Sequence, residues 1–122
     1  MGGRTILIVD DAESVCTGIA SLLEIGGYST LTAFNGEEGV EAARRHLPDA
    51  ILLDIMMPVL DGWGAIKRLR AVPETAGIPV IALTALKLSQ EQVELAGFSG
   101  YLAKPVPPHR LMAEIRTACG DA

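Results

Sequence analysis

Short apolar runs alternate with longer amphipathic stretches along the whole chain, and this alternation limits the fold more than any other feature. Each run holds a few Val, Ile, Leu or Ala residues, whereas the intervening stretches carry apolar residues at helical spacing. Consecutive apolar positions are typical of strands that are buried on both faces of a parallel sheet. The predicted strands lie at about 4–9, 28–33, 50–53, 78–83 and 101–103.

The amphipathic stretches predict helices at about 12–25, 35–46, 63–71, 89–96 and 108–119. Strands that alternate with helices form a layered α/β fold, and right-handed crossovers favour a doubly wound sheet. We therefore predict a five-stranded parallel sheet of order 2-1-3-4-5 with helices on both faces, a flavodoxin-like topology. Residues 1–122 are expected to form a single domain.

Composition excludes several classes of protein. The net charge of −5 argues against a nucleic-acid-binding surface, which needs a basic patch. No apolar stretch approaches the ~20 residues of a membrane span, and no signal peptide begins the chain. The two cysteines make a disulfide framework improbable. We expect a cytoplasmic protein with no direct contact to nucleic acid or membrane.

Polar side chains directly follow four of the apolar runs. They are Asp10 and Asp11 after the first, Asp54 after the third, Thr84 after the fourth and Lys104 after the fifth. The carboxyl ends of parallel strands meet at one edge of the sheet, where ligands bind in such folds. These five side chains are therefore expected to form one site, with the three aspartates at the topological switch point.

Each of these residues also has an ordinary explanation. Asp10 would be an ordinary solvated loop acid and Asp11 would cap the first helix. Asp54 would begin a turn toward Pro58, Thr84 would cap a helix and Lys104 would be a solvated surface lysine. These explanations are independent of one another. A shared site instead predicts all of them at corresponding strand ends, so their joint occurrence favours the site.

The chemistry of the predicted site follows from its charges. Two carboxylates at 4 Å repel by about 1 kcal/mol in water and by more in a partly dry cleft. An oxygen-rich cluster of this kind suits Mg²⁺, and Lys104 adds a second positive charge. A metal and an ammonium beside an aspartate suit phosphoryl transfer, with Asp54 as the nucleophile that forms an aspartyl phosphate.

The motifs of the chain resemble, in order, those of the receiver domain of bacterial two-component response regulators, including the chemotaxis regulators. The resemblance covers essentially the whole chain. The matching segments are Asp10-Asp11, Asp54-Ile55-Met56-Met57-Pro58, Asp61-Gly62, Thr84-Ala85, Ala96-Gly97 before Tyr101, and Lys104-Pro105.

The resemblance implies a phosphorylation-activated switch. Asp54 would accept a phosphoryl group from a histidine of a sensor histidine kinase or a histidine phosphotransfer protein. Asp11 and Asp54 would bind Mg²⁺ directly with the backbone carbonyl of Met56, and Asp10 would act largely through water. Such a domain is not an enzyme, because it catalyses only phosphoryl transfer to, and hydrolysis from, its own Asp54.

The resemblance also implies how the signal leaves the site. Thr84 would contact the phosphoryl oxygens, Lys104 would pair with them, and Tyr101 would rotate inward as Thr84 shifts. The Lys104–Pro105 peptide bond is expected to be cis. A downstream protein would bind the face made by the fourth predicted helix, the fifth strand and the fifth helix, and the protein would be a monomer or a weak dimer.

Two features depart from the usual pattern of the family. The segment from Thr84 to Lys104 is shorter than is typical, so the output face is expected to differ in shape. Met56 and Leu86, each two residues past a site residue, are both apolar. We hypothesise that these two side chains cover the phosphoryl group and slow its hydrolysis.

Two other classes of function remain open from the residues alone. A Mg²⁺-dependent phosphatase or phosphotransferase also forms an aspartyl phosphate, but such an enzyme usually has its nucleophile and a second Asp two positions apart after one strand. In this chain Asp54 follows a different strand from Asp10 and Asp11. A flavodoxin-like cofactor binder would need a phosphate-cradling loop after the first strand, where Asp10 and Asp11 would repel a phosphate. The chain is expected to be a single-domain regulator or a receiver from a longer protein, and the sequence leaves both possible.

Overall fold

Five strands form one parallel sheet in the computed structural model, which describes residues 3–121. They are β1 (Thr5–Val9), β2 (Ser29–Ala33), β3 (Ala50–Asp54), β4 (Val80–Thr84) and β5 (Gly100–Ala103). The strand order is β2-β1-β3-β4-β5, and every neighbouring pair is parallel. The predicted topology is therefore confirmed.

The connections between the strands are helical. The helices are α1 (Glu13–Ile25), α2 (Gly36–His46), α3 (Gly62–Ala71), α4 (Pro73–Ala76), α5 (Gln90–Ala96) and α6 (Pro108–Cys119). The one-turn helix α4 was not predicted, because four residues are too few to show a helical period. The fourth and fifth predicted helices therefore correspond to α5 and α6. Helix α5 is short, with seven residues.

Two apolar clusters cover the two faces of the sheet. One holds Leu7, Ile51 and Val80 together with side chains from α2, α3 and α5. The other holds Ile8 and Leu52 with side chains from α1 and α6. All five residues of β3 and of β4 are buried. Helices on both sides explain why these strands are continuously apolar rather than alternating.

The two central strands extend one residue further than the apolar pattern predicted. Parallel pairing continues through Asp54 opposite Leu83, and through Thr84 opposite Ala103. The prediction ended both strands too early because backbone hydrogen bonding does not depend on the polarity of the side chain. The two polar residues therefore stand on the sheet itself, not on loops that follow it.

A close backbone approach fixes the loop that follows β3. A Cβ atom on Gly62 would lie 2.5 Å from the Cα of Ile55, so only glycine fits where α3 begins. The Gly62 amide also donates to the Ile55 carbonyl at 2.8 Å. These contacts bring the start of α3 back against the end of β3. Within residues 3–121, no helix combines the length and the apolar character needed to cross a membrane.

Candidate functional site

Three carboxylates gather at the carboxyl edge of the sheet, as the sequence predicted. Asp10, Asp11 and Asp54 each offer an oxygen, and these oxygens all lie within 4.8 Å of one another. Asp10 and Asp54 are buried, whereas Asp11 is exposed. The cluster is therefore closed toward the core and open to solvent on the side of Asp11.

The Asp11 carboxylate does not cap helix α1. The N-cap of α1 is Ala12, without a side-chain capping bond, so the explanation of Asp11 as a helix cap is wrong. Asp10 instead orders this loop, since its Oδ1 accepts from the Ala12 amide at 2.9 Å. Its own amide donates to the Ala33 carbonyl at 3.1 Å, which continues the pairing of β1 with β2.

Lys104 connects the two buried carboxylates. Its Nζ donates to Oδ2 of Asp10 at 2.7 Å and to Oδ2 of Asp54 at 3.3 Å. Burial by itself lowers the pKa of Lys104, but its hydrogen bonds to the two aspartates and their charges raise the pKa above the usual value overall. Lys104 is thus a charged ammonium at neutral pH and not a solvated surface lysine. The Lys104–Pro105 peptide bond is cis, as expected.

The surroundings of Asp54 disfavour the ionised form of its carboxyl group. Burial raises its pKa above the ordinary value, and the charge of Asp10 raises it further, whereas the ammonium of Lys104 partly opposes both effects. Its Oδ1 accepts one bond, at 3.3 Å, from the Met56 amide. Further positive charge near Asp54 would therefore stabilise the site.

The donors around this cluster suit a hard cation. The three carboxylates supply oxygen ligands, which Mg²⁺ prefers. The thiol of Cys16 lies beside this cluster and donates its S–H to the Asp10 carbonyl at 3.4 Å. Burial and the charge of Asp10 raise the pKa of this thiol to about 11, so it stays protonated and is a poor metal ligand. The residues present therefore fit magnesium better than a thiophilic metal.

Thr84 and Tyr101 are joined through the backbone of Leu86. The buried Thr84 accepts from the Leu86 amide at 3.2 Å through its Oγ1, and the Tyr101 hydroxyl donates to the Leu86 carbonyl. Thr84 is not a helix cap, because Ser89 caps α5. The sequence missed the part played by Leu86, since a backbone contact leaves no signal in the choice of side chain.

Two exposed apolar side chains lie just beyond the ends of β3 and β4. Met56 and Leu86 are exposed and both line a groove of about 480 Å³ that also includes Asp61 and Trp63. The ring of Trp63 packs edge-on against Phe98 with the ring centroids 6.0 Å apart, so it has a packing role at the start of α3. The two residues that were hypothesised to cover the phosphoryl group therefore share one groove.

The fold and the composition of this site are those of a phosphorylatable signalling domain. Residues 6–116 match the family described as the response regulator receiver domain, and the chain belongs to that family. The polar-differentiation response regulator DivK of Brucella anthropi is 36% identical over 121 residues, which cover 98% of each chain.

Solved structures agree with the family assignment. The chemotaxis response regulator CheY4 of Vibrio cholerae superposes with a TM-score of 0.87 at 27% identity, over 94% of this chain and 98% of that one. The receiver domain of the sensor histidine kinase PA1611 of Pseudomonas aeruginosa gives 0.89 at 36% identity, over 98% and 99% of the two chains. That structure is described as having a magnesium ion coordinated in its active-site cleft.

Membership of the family decides among the classes of function. Receiver domains are phosphorylation-dependent signalling switches of two-component systems, and this chain is one of them. The alternative of a Mg²⁺-dependent phosphatase or phosphotransferase enzyme is not favoured. The prediction of a receiver domain from the sequence is confirmed.

Proposed function

We propose that Asp54 is the phosphoacceptor of this receiver domain and takes its phosphoryl group from a histidine of a sensor histidine kinase or a histidine phosphotransfer protein. The observation that carries the proposal is the bridge from Lys104 Nζ to Asp10 and Asp54, beside the exposed carboxylate of Asp11. Asp54 ends a central strand, where the rigid sheet holds its carboxylate in place.

Asp11, Asp54 and the backbone carbonyl of Met56 hold Mg²⁺ in this proposal, with Asp10 acting through water. The ion supplies positive charge that neutralises the carboxylates and the phosphoryl oxygens. Support for this ligand set comes from the all-oxygen donors and from the raised pKa of Asp54, whose burial and acidic neighbour disfavour its charge. Asp11 is the aspartate of this set with the most access to solvent.

In the transfer, an oxygen of the Asp54 carboxylate forms a bond to phosphorus as the bond between phosphorus and the donor imidazole nitrogen breaks. In hydrolysis, water attacks phosphorus, the bond to Asp54 breaks, and inorganic phosphate and the carboxylate are released. Lys104 holds positive charge beside the transferring oxygens throughout. In both reactions the bond to phosphorus is made or broken at Asp54 of this chain, so the domain acts on itself and not on a free substrate.

Phosphorylation adds about −1.5 to −2 charges and new acceptor oxygens at Asp54. Thr84 and Lys104 can satisfy those acceptors by moving toward Asp54. Because Thr84 and Tyr101 both bind the backbone of Leu86, movement of Thr84 changes the packing of Tyr101. The signal would then reach a downstream protein at the α5–β5–α6 face.

We also propose the domain organisation, cellular location and oligomeric state of this switch. Residues 1–122 act as a single receiver domain in the cytoplasm, as a monomer or a weak dimer. The net charge of −5 supports partners that are proteins and not nucleic acids.

The test is incubation of the protein with acetyl phosphate and Mg²⁺, followed by intact-mass measurement. We expect a mass gain of one phosphoryl group that is absent in Asp54→Asn and absent when the metal is chelated. Asp61→Asn is the matched control, because Asp61 lies outside the cluster and an Asn caps α3 as well as the Asp does. A mass gain that survives in Asp54→Asn contradicts the proposal.

A further inference from the structure

A groove with an acidic rim lies on the α5–β5–α6 face. It has a volume of about 390 Å³ and is floored in part by the apolar side chain of Val93 and the ring of Tyr101. The carboxylates of Glu94 on α5 and Glu114 on α6 stand on its two sides. No Lys, Arg or His is among the described residues that line it. We call it the acidic groove.

The backbone of β5 helps to shape the acidic groove. A Cβ atom on Gly100 would lie 2.4 Å from Oε2 of Glu114, so the Glu114 carboxylate occupies the space directly over the strand. Within residues 3–121, Glu114 has no ion-pair partner, although Arg110 lies one turn earlier on α6. Glu94 accepts one bond, at 3.0 Å, from the side chain of Gln90. Among residues 3–121, neither carboxylate forms an ion pair.

We propose that the acidic groove binds a basic amphipathic segment of the downstream protein. An apolar side chain of that segment packs on Val93 and Tyr101, and a Lys or Arg lies between Glu94 and Glu114. The two glutamate carboxylates attract a cationic side chain of the partner, which gives specificity. The apolar surface of Val93 and Tyr101 provides contact area for an apolar side chain of the same segment. The inference rests on the proposed function, since it takes this face to be the output surface of the switch.

A second copy of the chain fits the acidic groove less well. A two-fold contact centred on the groove would set Glu94 and Glu114 against the same two residues of the partner, and like charges brought together across an interface are unfavourable. The groove also meets the switch directly, because Tyr101 belongs to its floor and binds the Leu86 carbonyl. A basic segment seated there contacts the residue that the proposed switch moves.

The experiment measures the binding of two fluorescent helical peptides of equal length, one built of Ala, Leu and Lys and the other of Ala, Leu and Glu. The protein is used before and after treatment with acetyl phosphate and Mg²⁺, and its mass is measured in the same samples. The test variant is Glu94→Gln with Glu114→Gln. The matched control is Glu41→Gln with Glu74→Gln, which removes the same charge from a cleft between α2 and α4.

We expect the Lys peptide to bind and the Glu peptide not to bind. The groove variant should weaken binding of the Lys peptide about tenfold, which corresponds to about 1.4 kcal/mol, and the control variant less than threefold. Equal weakening by both variants overturns the inference, because it shows attraction by net charge alone. Dimerisation on phosphorylation that the groove variant abolishes also overturns it, in favour of a second copy.

The mass measurement separates this inference from the proposed function. If the protein gains a phosphoryl group on Asp54 but the groove variant binds the Lys peptide as tightly as the parent protein, the inference is overturned and the proposed function is not. Failure of the protein to gain mass overturns the proposed function, and with it the assignment of the groove to the partner of the switch.

Discussion

The ammonium of Lys104 lies closer to Asp10 than to Asp54, at 2.7 Å against 3.3 Å. Asp10 therefore holds the lysine in place and helps to keep it charged, and the longer contact to Asp54 is compatible with the proposed pairing of Lys104 with phosphoryl oxygens. Lys104 and Asp10 are 94 positions apart in the chain. They meet because the carboxyl ends of β1, β3, β4 and β5 lie along one edge of the sheet. The ammonium of Lys104 explains how the acidic cluster remains stable before a metal ion binds.

Removal of the Lys104 charge should slow phosphorylation without abolishing the fold. We expect Lys104→Met to reduce the rate of phosphorylation by acetyl phosphate about 100-fold, the usual cost of losing a positioned charge beside a transferring group. The rate is measured as mass gain against time. Lys67→Met, on an exposed position of α3, is the control and should match the parent protein. An unchanged rate in Lys104→Met contradicts the role given to this lysine.

Neutralising Asp54 should stabilise the protein at neutral pH. Burial and the charge of Asp10 raise the pKa of Asp54, so its ionised form costs free energy in the folded state. Below the ordinary pKa this group costs no stability; the loss of stability grows as pH rises through the window from the ordinary pKa to the raised one, and the full loss is present above that window. We expect Asp54→Asn to raise the free energy of unfolding at pH 7 by on the order of 1 kcal/mol.

The pH dependence supplies the control for this prediction. At a pH near 3, Asp54 is protonated in both the folded and the unfolded chain, so the advantage of Asp54→Asn should vanish. Urea denaturation at the two pH values gives both numbers. Addition of Mg²⁺ should stabilise the parent protein more than Asp54→Asn, because the variant has lost a ligand of the proposed site. A variant that is less stable than the parent at pH 7 contradicts the account of the cluster.

Met56 and Leu86 should set the lifetime of the phosphorylated state. Polar side chains at these two positions would admit and orient water beside the phosphoryl group. We expect Met56→Asn with Leu86→Glu to shorten the half-life by at least about tenfold, below the 100-fold or more of a fully positioned acid or base. The loss of mass after removal of the phosphodonor measures the half-life.

A control for this prediction is available on the same surface. Val59 and Leu95 are exposed apolar residues outside the groove that Met56 and Leu86 share. Val59→Asn with Leu95→Glu introduces the same two polar side chains, and Asn suits the positive φ of residue 59. This control should leave the half-life unchanged, and an equal half-life in both double variants and the parent would refute the covering role.

Arg70 should stabilise the packing of α3 against the end of α5 and the segment before β4. Its guanidinium donates to the carbonyls of Gly97, Ala76 and Ile78 at 2.7–2.9 Å, and so ties α3 to the end of α5 and to the segment before β4. We expect Arg70→Met to lower the free energy of unfolding by about 2–3 kcal/mol, because it leaves partly buried carbonyls unpaired. Urea denaturation measures the change.

Two further variants test whether geometry or charge matters at position 70. Arg70→Lys keeps the charge but not the planar fork, so it should recover less than half of the loss. Arg68→Met removes an exposed arginine that pairs with Glu37 on the surface, and should cost less than about 1 kcal/mol. Equal losses in Arg68→Met and Arg70→Met would contradict the clamping role of Arg70.

Much of the fold could be predicted from the sequence, and the predictions that were wrong have physical explanations. The continuous apolar runs predicted buried parallel strands and their order, because alternation with helices leaves few topologies. The ends of β3 and β4 were set one residue early, since Asp54 and Thr84 pair through their backbones despite their polar side chains. Helix α4 escaped prediction because a single turn carries no period.

The sequence also predicted some features of the site and missed others. The residue types at the strand ends indicated an oxygen-rich, phosphoryl-handling cluster, and the structure brings Asp10, Asp11 and Asp54 together as expected. The ordinary explanation of Asp11 as a cap was wrong, because capping depends on the local path of the chain and that path puts Ala12 at the cap. The contacts of Arg70 and of Leu86 could not be predicted from the sequence, because they involve backbone atoms and the pattern of side chains does not show where those atoms lie.

The amino-acid sequence by itself determined the class of this protein, because the order of apolar runs and the polar residues that follow them depend only on local chemistry along the chain. Only the tertiary structure decided that Lys104 rests on Asp10, that Leu86 links Thr84 to Tyr101, and that Glu94 and Glu114 border one groove. The reason is distance: these partners are far apart in the chain, and their contacts exist only once the packed sheet and helices fix where each side chain lies.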